Sequence, residues 1–503
     1  MKGIVIGGGC AGLAAAAFLA KAGHDAIVLE QHTRPGGYWS SYVRGGVVFD
    51  HGPHWTIRPE RINQTLIDLG VKPISFSPLK TQARYMLLAD EEVELILSKD
   101  RYAIESAIMK NFPTAREESI RRLFDESLRL EAELDQAPTI SPELMPLPAK
   151  VGSGLRALMK MRRVLKYARM PATAFLSELF PGPDLEGLRT ILHMIAPAEG
   201  MPALGVMVFL AFALGGKSFR PDGGAQKVSD ALAQAVEANG GEIRYSSKVQ
   251  RILAHGGRVT GVELADGTTI ESPYVVSGVD AHQMYYQLLD PALMPADFKA
   301  KLDSYPISPT SVTVSVVTDI DPSSFGFDDT DVFVTSSPKM EKLFSLNDPG
   351  NGVFHIGFPP YRTVDAKAGV HGIQVVSYAS FDYNNNWLTG PGFQRGEAYR
   401  ALKSQYADKL LEQVERLIPG LRDHALFLDV ATPITMYRYT LNYQGAQNGW
   451  SYSRVENWDK EVPFVGGLYH VGHWTGPSGI HGGLNSGYTA AQLIIHKFQK
   501  KLT

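Results

Sequence analysis

An α/β chain with α+β insertions is predicted by three features of the sequence. Residues 3–6 are short, apolar and β-branched, and they run through a glycine-rich turn into the alanine-rich stretch 13–22, which reads as strand, tight turn and helix. A second glycine-rich strand-to-helix junction, Gly467 to Gly472 and then Thr475 to Gly483, lies near the other end of the chain. Between the two, residues 241–279 and 311–378 hold successive strand-like runs.

The first turn has the sequence Gly7-Gly8-Gly9-Cys10-Ala11-Gly12. In this pattern Gly7 permits the bend, Gly9 lets the backbone approach a pyrophosphate, and Gly12 allows close packing of helix on strand. Cys10 and Ala11 then open the helix, where free N–H groups and the dipole favour phosphate. A second strand, 26–29, ends in Glu30, placed to accept both hydroxyls of a ribose. The reading is a Rossmann-type dinucleotide site.

After Glu30 the chain turns through Arg34-Pro35-Gly36-Gly37 and enters short strands ending at Phe49-Asp50-His51-Gly52. A nicotinamide domain would continue directly into a third parallel strand. Here the continuation comes much later, and two separated phosphate-style elements suit FAD, which is long enough to touch both.

The next 140 or so residues begin with a hairpin, 84–88 and 93–97 about Asp90-Glu91, and turn helical through 117–134. Residues 242–245, 248–255, 258–264, 269–272 and 274–279 read as strands, with Gly256-Gly257 and Asp266-Gly267 at hairpin turns. Strand-like runs follow at 311–318, 331–335, 353–358 and 373–378, with a helix near 396–417. The last helix is expected to begin near Gly483 and reach Lys497.

Composition excludes several classes. The chain has 503 residues, 49 Lys+Arg against 52 Asp+Glu, 44% hydrophobic and 20% charged residues, so disorder is disfavoured and no basic excess supports nucleic-acid binding. One cysteine forbids an internal disulfide and a multi-Cys zinc site, which points to a reducing, cytoplasmic compartment. The apolar start mimics a secretory signal, but its glycine spacing belongs to the turn. The 17 uncharged residues 200–216 are too few to span a bilayer and read as a buried helix. No Gly-x-Ser-x-Gly elbow occurs, since Gly476-Pro477-Ser478-Gly479 is one residue short, so serine hydrolysis is set aside.

Together these residues resemble the FAD-dependent amine oxidase superfamily, and within it the phytoene desaturase, carotenoid isomerase and retinol saturase group. The likeness rests on the fingerprint with Glu30, Gly36-Gly37, the loop 49–53, Pro221-Asp222-Gly223-Gly224, and Gly240-Gly241-Glu242-Ile243 with Val249. It continues through Val275-Val276-Ser277 to Asp280, Thr432-Pro433 with Asn442 and Gly445, and the terminal block with Gly472, Gly482, Gly483 and Leu484. The resemblance implies FAD held by Gly7, Gly9, Cys10, Ala11, Gly12, Glu30, Gly36, Gly37, Val249, Gly472, Gly482, Gly483 and Leu484. It also implies a discontinuous FAD-binding domain of residues 1–75, 217–290 and 450–503. Residues 76–216 then form the helical lid part of a substrate domain and 291–449 its mixed-sheet part. Tyr38 stands where relatives often have a basic residue, and His473 where they have an acid that meets a hydroxyl of the flavin linker.

The chemistry expected is hydride transfer between an allylic carbon and flavin N5 at C–C or C=C bonds of a lipophilic, isoprenoid or polyene substrate, by desaturation, saturation or isomerisation. The electron acceptor is oxygen, a quinone or NAD(P)H. A histidine could take the accompanying proton, and His51, His54 and His481 are the candidates in that order; each could equally be a structural hydrogen-bonding residue. Neither His51 nor His54 has an acid or cysteine at ligand spacing, so no metal is expected. Tyr437, Arg438, Tyr439 and Tyr443 are candidate pocket walls on a strand. Residues 150–169 carry seven basic side chains and no acid, with Ala157, Leu158, Met161, Val164, Leu165 and Ala168 on one side of a helix, a pattern that suits either an anionic membrane surface or a docked lid. Two other functions use the same fold. An amine or amino-acid oxidase would be favoured by a carboxylate-binding Arg in the pocket, for which Arg438 is available, and by hydrogen peroxide production, and a non-catalytic escort for prenylated proteins would have a degraded flavin site, against which the intact fingerprint argues.

Overall fold

Strand Lys2–Ile6 lies at the centre of a five-stranded parallel sheet ordered Glu242–Arg244, Asp25–Leu29, Lys2–Ile6, Val275–Ser277, Leu468–His470. The structure is a computed structural model and describes residues 1–499 apart from 53, 80, 90–91, 137–140 and 455. Pro53 of the histidine loop and the Asp90-Glu91 turn therefore lie outside the described residues.

Period-two burial sorts the sheet into two faces. Val5, Val28 and Val276 pack on a helical layer, in which Cys10–Lys21 contacts both Ile480–Gln499 and Gln226–Ala238. The opposite face buries Ile4, Ile6, Ile27 and Val275 against a three-stranded antiparallel sheet, Val249–His255, Arg258–Leu264 and Thr269–Glu271. The strands read in succession from the sequence thus divide between two sheets, because residues 242–244 and 275–277 pair with the amino-terminal strands instead of with each other. The terminal helix approaches the first one closely at Gly487, where a Cβ would overlap the Ala11 carbonyl oxygen.

A second, seven-stranded mixed sheet takes strands from both insertions, in the order Ala425–Ala431, Thr310–Thr318, His371–Ala379, Phe354–Gly357, Asp331–Thr335, Ala83–Leu88, Glu92–Leu97. Its one parallel pair joins Asp331–Thr335 to Ala83–Leu88. One face carries helix Glu397–Glu415 through Leu402, Leu410 and Val414. The helices between residues 101 and 215 cover the end formed by Ala83–Leu88 and Glu92–Leu97.

Three sequence expectations change. Residues 437–440 belong to helix Pro433–Thr440 and not to a strand, since Thr432 and Pro433 start a helix that Leu441 ends at φ 58°. The terminal helix begins at Ile480, one turn before Gly483. The basic segment 150–169 is two helices, Leu147–Lys160 and Arg162–Ala168, broken at Met161. The second buries Val164 and Tyr167 and ties Arg163 to Glu133 at 2.8 Å and to Glu126 at 3.2 Å. The first buries nothing, and Leu147, Val151, Leu155, Leu158 and Met159 are exposed along it. Among the described residues no helix is long and apolar enough to cross a membrane, and residues 203–215 form a 13-residue helix that is largely buried.

Candidate active site

A cavity of about 450 Å³ runs from the first glycine turn, past the terminal helix, to the seven-stranded sheet. At one end it is lined by Gly7, Gly9, Cys10, Ala11, Gly12, Glu30, Gly36, Gly37 and Val249. A Cβ at Gly9 would meet nothing within 4 Å, which leaves an open cradle beside the first turn of helix Cys10–Lys21. At Gly12, by contrast, a Cβ would overlap the Gly7 carbonyl oxygen, so that glycine serves strand–helix packing. Glu30 is 7% exposed; its Oε2 accepts from the Gly8 amide at 2.6 Å and its Oε1 from the His32 amide at 2.8 Å. Two lone-pair directions on this carboxylate remain for a ribose. Gly36 is fixed over the same turn by donating to the Gly8 carbonyl at 2.8 Å.

Cys10 is an inert member of this wall. Burial pushes its thiol up to about 12, more than its contact with Ser229 lowers it, so no thiolate is available near neutral pH.

Further along, Gly472, His473, Ile480 and Gly483 line the cavity at the start of the terminal helix, whose N-terminus favours negative charge there. Gly482 and Leu484, expected on the cofactor, do not line it: a Cβ at Gly482 would overlap the Pro477 carbonyl oxygen, and Leu484 is turned into the core between helices. His473 replaces the expected acid with a ring that burial holds down to about 4, hence neutral. Its Nε2 is buried with no partner among the described residues, an unspent hydrogen-bonding atom in the wall. The open cradle at Gly9, the poised carboxylate and this orphaned nitrogen all fit an extended phosphate-linked cofactor.

The three candidate histidines separate clearly. His51 is stacked on Tyr439 at 4.7 Å, and Tyr439 stacks on His32 at 4.4 Å, making a three-ring pile on the cavity wall. Burial lowers the His51 ring to about 4, which makes it a weak proton acceptor near neutral pH. His481 gives its Nε2 to the Ile57 carbonyl at 2.7 Å and does not line the cavity, because the helix starts a turn earlier than expected and carries the ring away. His54 lines it, and its Nε2 donates to Asp331 Oδ1 at 2.6 Å. Asp331 and His355 were not legible as site residues; they reach His54 only through sheet pairing, and no local motif marks them. The three also form a group whose ligand atoms lie within 4.8 Å, so the absence of an acid near His54 in sequence gives way to an acid near it in space.

Beyond the histidines the wall is largely apolar, with Trp55, Phe333, Val353, Phe354, Val376 and Met436. Of the candidate wall residues, Tyr439 lines the cavity, whereas Tyr437, Arg438 and Tyr443 do not.

The family model for flavin containing amine oxidoreductases matches residues 10–495. The chain belongs to that family. It is a flavin-dependent oxidoreductase. The all-trans-retinol 13,14-reductase of Danio rerio is 24% identical over 99% of this chain and 86% of its own length. The neurosporene-forming phytoene desaturase of Rhodobacter capsulatus is 25% identical over 98% of this chain and 94% of its own. A solved putrescine oxidase, redesigned in its cofactor binding, superposes with a TM-score of 0.64 at 15% identity over 99% of both chains, which establishes the shared fold.

Proposed function

We propose that this protein is an FAD-dependent oxidoreductase that acts on C–C or C=C bonds of a lipophilic isoprenoid or polyene. The observation that carries the reading is the apolar wall of the cavity, Phe333, Val353, Phe354 and Val376, facing onward from the flavin site. FAD, with its second phosphate and adenosine, accounts for a cavity that reaches from Gly483 to Glu30. The bound cofactor supplies the two-electron acceptor or donor. The chain holds the ribose with Glu30, the pyrophosphate with the amides beside Gly9, and the substrate with the apolar wall. The relatives named above, a reductase and a desaturase of polyenes, support the substrate class and leave the direction open.

The amino-acid oxidase reading lacks a carboxylate clamp: among the described residues no arginine lines the cavity, and Arg438 lies outside it. The exposed apolar and basic faces of helix Leu147–Lys160 suit attachment to an anionic membrane, where such a substrate resides.

Anaerobic incubation of the purified protein with carotenoids, isoprenoid alcohols and amines, while flavin absorbance is followed, tests the reading. Bleaching by a polyene or, after chemical reduction, reoxidation by one is expected. Bleaching by amines alone, with peroxide on admission of air, would replace it with the oxidase.

A further inference from the structure

One group of ionisable side chains in the cavity wall is unexplained by cofactor binding. Asp331, at the start of strand Asp331–Thr335, is 1% exposed. Its Oδ1 accepts from His54 Nε2 at 2.6 Å and lies 3.4 Å from Nε2 of His355, which sits opposite Phe333 on the neighbouring strand. The two imidazoles are stacked, 5.6 Å apart and 20° from parallel. Gly357 makes the space for them: a Cβ there would lie 3.3 Å from Cε1 of each ring and 3.7 Å from Asp331 Oδ1. Oδ2 of Asp331 and Nε2 of His355 have no hydrogen-bond partner among the described residues.

Such a group is expensive as mere packing, because a buried carboxylate with an unused oxygen is less stable than an apolar trio of similar volume. Its surroundings indicate a use. His54 and Gln374 line both the main cavity and a small adjoining void of about 10 Å³, bounded by Asp50, Arg220 and Tyr361. The void has room for about one water. His54 thus stands between the substrate space and a small void whose wall includes the charged side chains Asp50 and Arg220 beside Val48, Phe358, Pro359 and Pro360.

We propose that His54 is the acid–base residue of the reaction, oriented by Asp331 and flanked by His355, and that it exchanges its proton through a water in the adjoining void, on the side that carries Asp50 and Arg220. The proposal rests on the C–C redox reading. In desaturation one C–H bond of the substrate leaves as hydride to the flavin, and the C–H bond on the neighbouring carbon gives its proton to Nδ1 of His54. That second bonding pair becomes the new π bond, and in saturation the same transfers run backward. Asp331 fixes the Nε2–H tautomer and stabilises the imidazolium; Asp331 and His355 are positioning residues. Burial alone would raise the Asp331 carboxyl, but the nearby His54 and His355 rings and the hydrogen bond from His54 outweigh it and hold it well below the usual range. The other groups facing the cluster are Asp50, Arg220 and Tyr85, and Asp50 and Arg220 differ in sign.

The test uses the flavin-loaded protein with phytoene and all-trans-retinol in detergent as probes. Proton spectra of ¹⁵N-histidine-labelled protein should show a strongly downfield Nε2–H that disappears in both His54→Gln and Asp331→Asn and persists in Gln374→Asn. With whichever probe changes the flavin spectrum, His54→Gln and His54→Asn should retain flavin but react roughly a hundredfold slower. Added imidazole should restore part of the rate, and Asp331→Asn should move the pH profile. Failure of both probes to change the flavin spectrum overturns the C–C reading and this proposal with it. A reactive probe with His54 variants within threefold of wild type overturns the proposal alone. So does stoichiometric metal in the purified protein that is lost on His54→Gln.

Discussion

The amide of Gly8 donates to Oε2 of Glu30 at 2.6 Å, so the carboxylate proposed to hold the ribose also closes the glycine turn. Replacing it removes two things at once. Glu30→Ala should weaken FAD binding by roughly 1.5–3 kcal/mol, the range for a hydrogen bond to a charged group, or on the order of tenfold to a hundredfold. Glu30→Gln should lose less, since its carbonyl can still accept from Gly8. Titration of stripped protein with FAD, followed by fluorescence quenching, measures both, and equal affinity of Glu30→Ala and wild type would remove Glu30 from the site.

Gly9 and Gly12 should fail differently. Gly9 has extended backbone at φ −74° and an open Cβ direction, so Gly9→Val should fold with near-native melting in the stripped state and take up no flavin. Gly12→Val forces a methyl-bearing carbon into the Gly7 carbonyl oxygen and should lower stability of the stripped protein itself by several kcal/mol, the scale of overpacking. Melting curves with and without FAD distinguish the two.

Acid should destabilise the fold in a defined window. Burial lowers the rings of His51, His193, His282, His470 and His473 to about 4 each, while in the unfolded chain a histidine titrates near 6.5. Between about pH 6.5 and 4 the unfolded state therefore binds more protons, and stability falls as pH falls. A drop in Tm on the order of 5 °C from pH 7 to pH 5 is expected. His193, whose two nitrogens have no partner among the described residues, is the cleanest probe: His193→Leu should reduce the drop. A Tm independent of pH across this window would contradict the burial of these rings.

The proposed membrane attachment would act through helix Leu147–Lys160 and not through the whole basic segment. Arg163 is committed to Glu126 and Glu133, so reversing it would disturb the lid. The appropriate variant is Lys150→Glu, Arg156→Glu and Lys160→Glu together. Each basic residue contributes roughly 1 kcal/mol near an anionic surface, so sedimentation with anionic vesicles should fall on the order of a hundredfold while flavin content stays unchanged. Equal sedimentation of variant and wild type, or none by wild type, removes the attachment.

The parts of the site written contiguously were readable from sequence. The turn Gly7 to Gly12 and Glu30 carry their geometry in their spacing, since strand, turn and helix follow one another within a single βαβ unit. Asp331 and His54 are 277 positions apart and meet only because His54 lies against the strands that carry Asp331 and His355. Neither residue has a neighbour in sequence that marks it. Strand Ala425–Ala431 escaped for another reason: it is an edge strand with Leu426, Phe427 and Leu428 exposed in a row, so alternation, the usual signal of a half-buried strand, is absent. Helix Pro433–Thr440 was misread because its aromatic and β-branched residues favour strands locally, and the Thr432-Pro433 start outweighs them.

The order of the parallel sheet also sets a schedule for synthesis. Strand Lys2–Ile6 has Val275–Ser277 as one neighbour, and that strand pairs in turn with Leu468–His470. At a ribosomal rate of roughly 5–20 residues per second, the glycine turn emerges on the order of 20–90 s before the last strand that flanks its sheet. During that interval the apolar face of the nascent first βαβ unit lacks its final covering, and the terminal helix that presses on Ala11 is not yet made. Full closure of the cavity is thus a late event, and a ribosome stalled near residue 450 would hold a chain that has its fingerprint but not the wall that Gly472, His473, Ile480 and Gly483 supply.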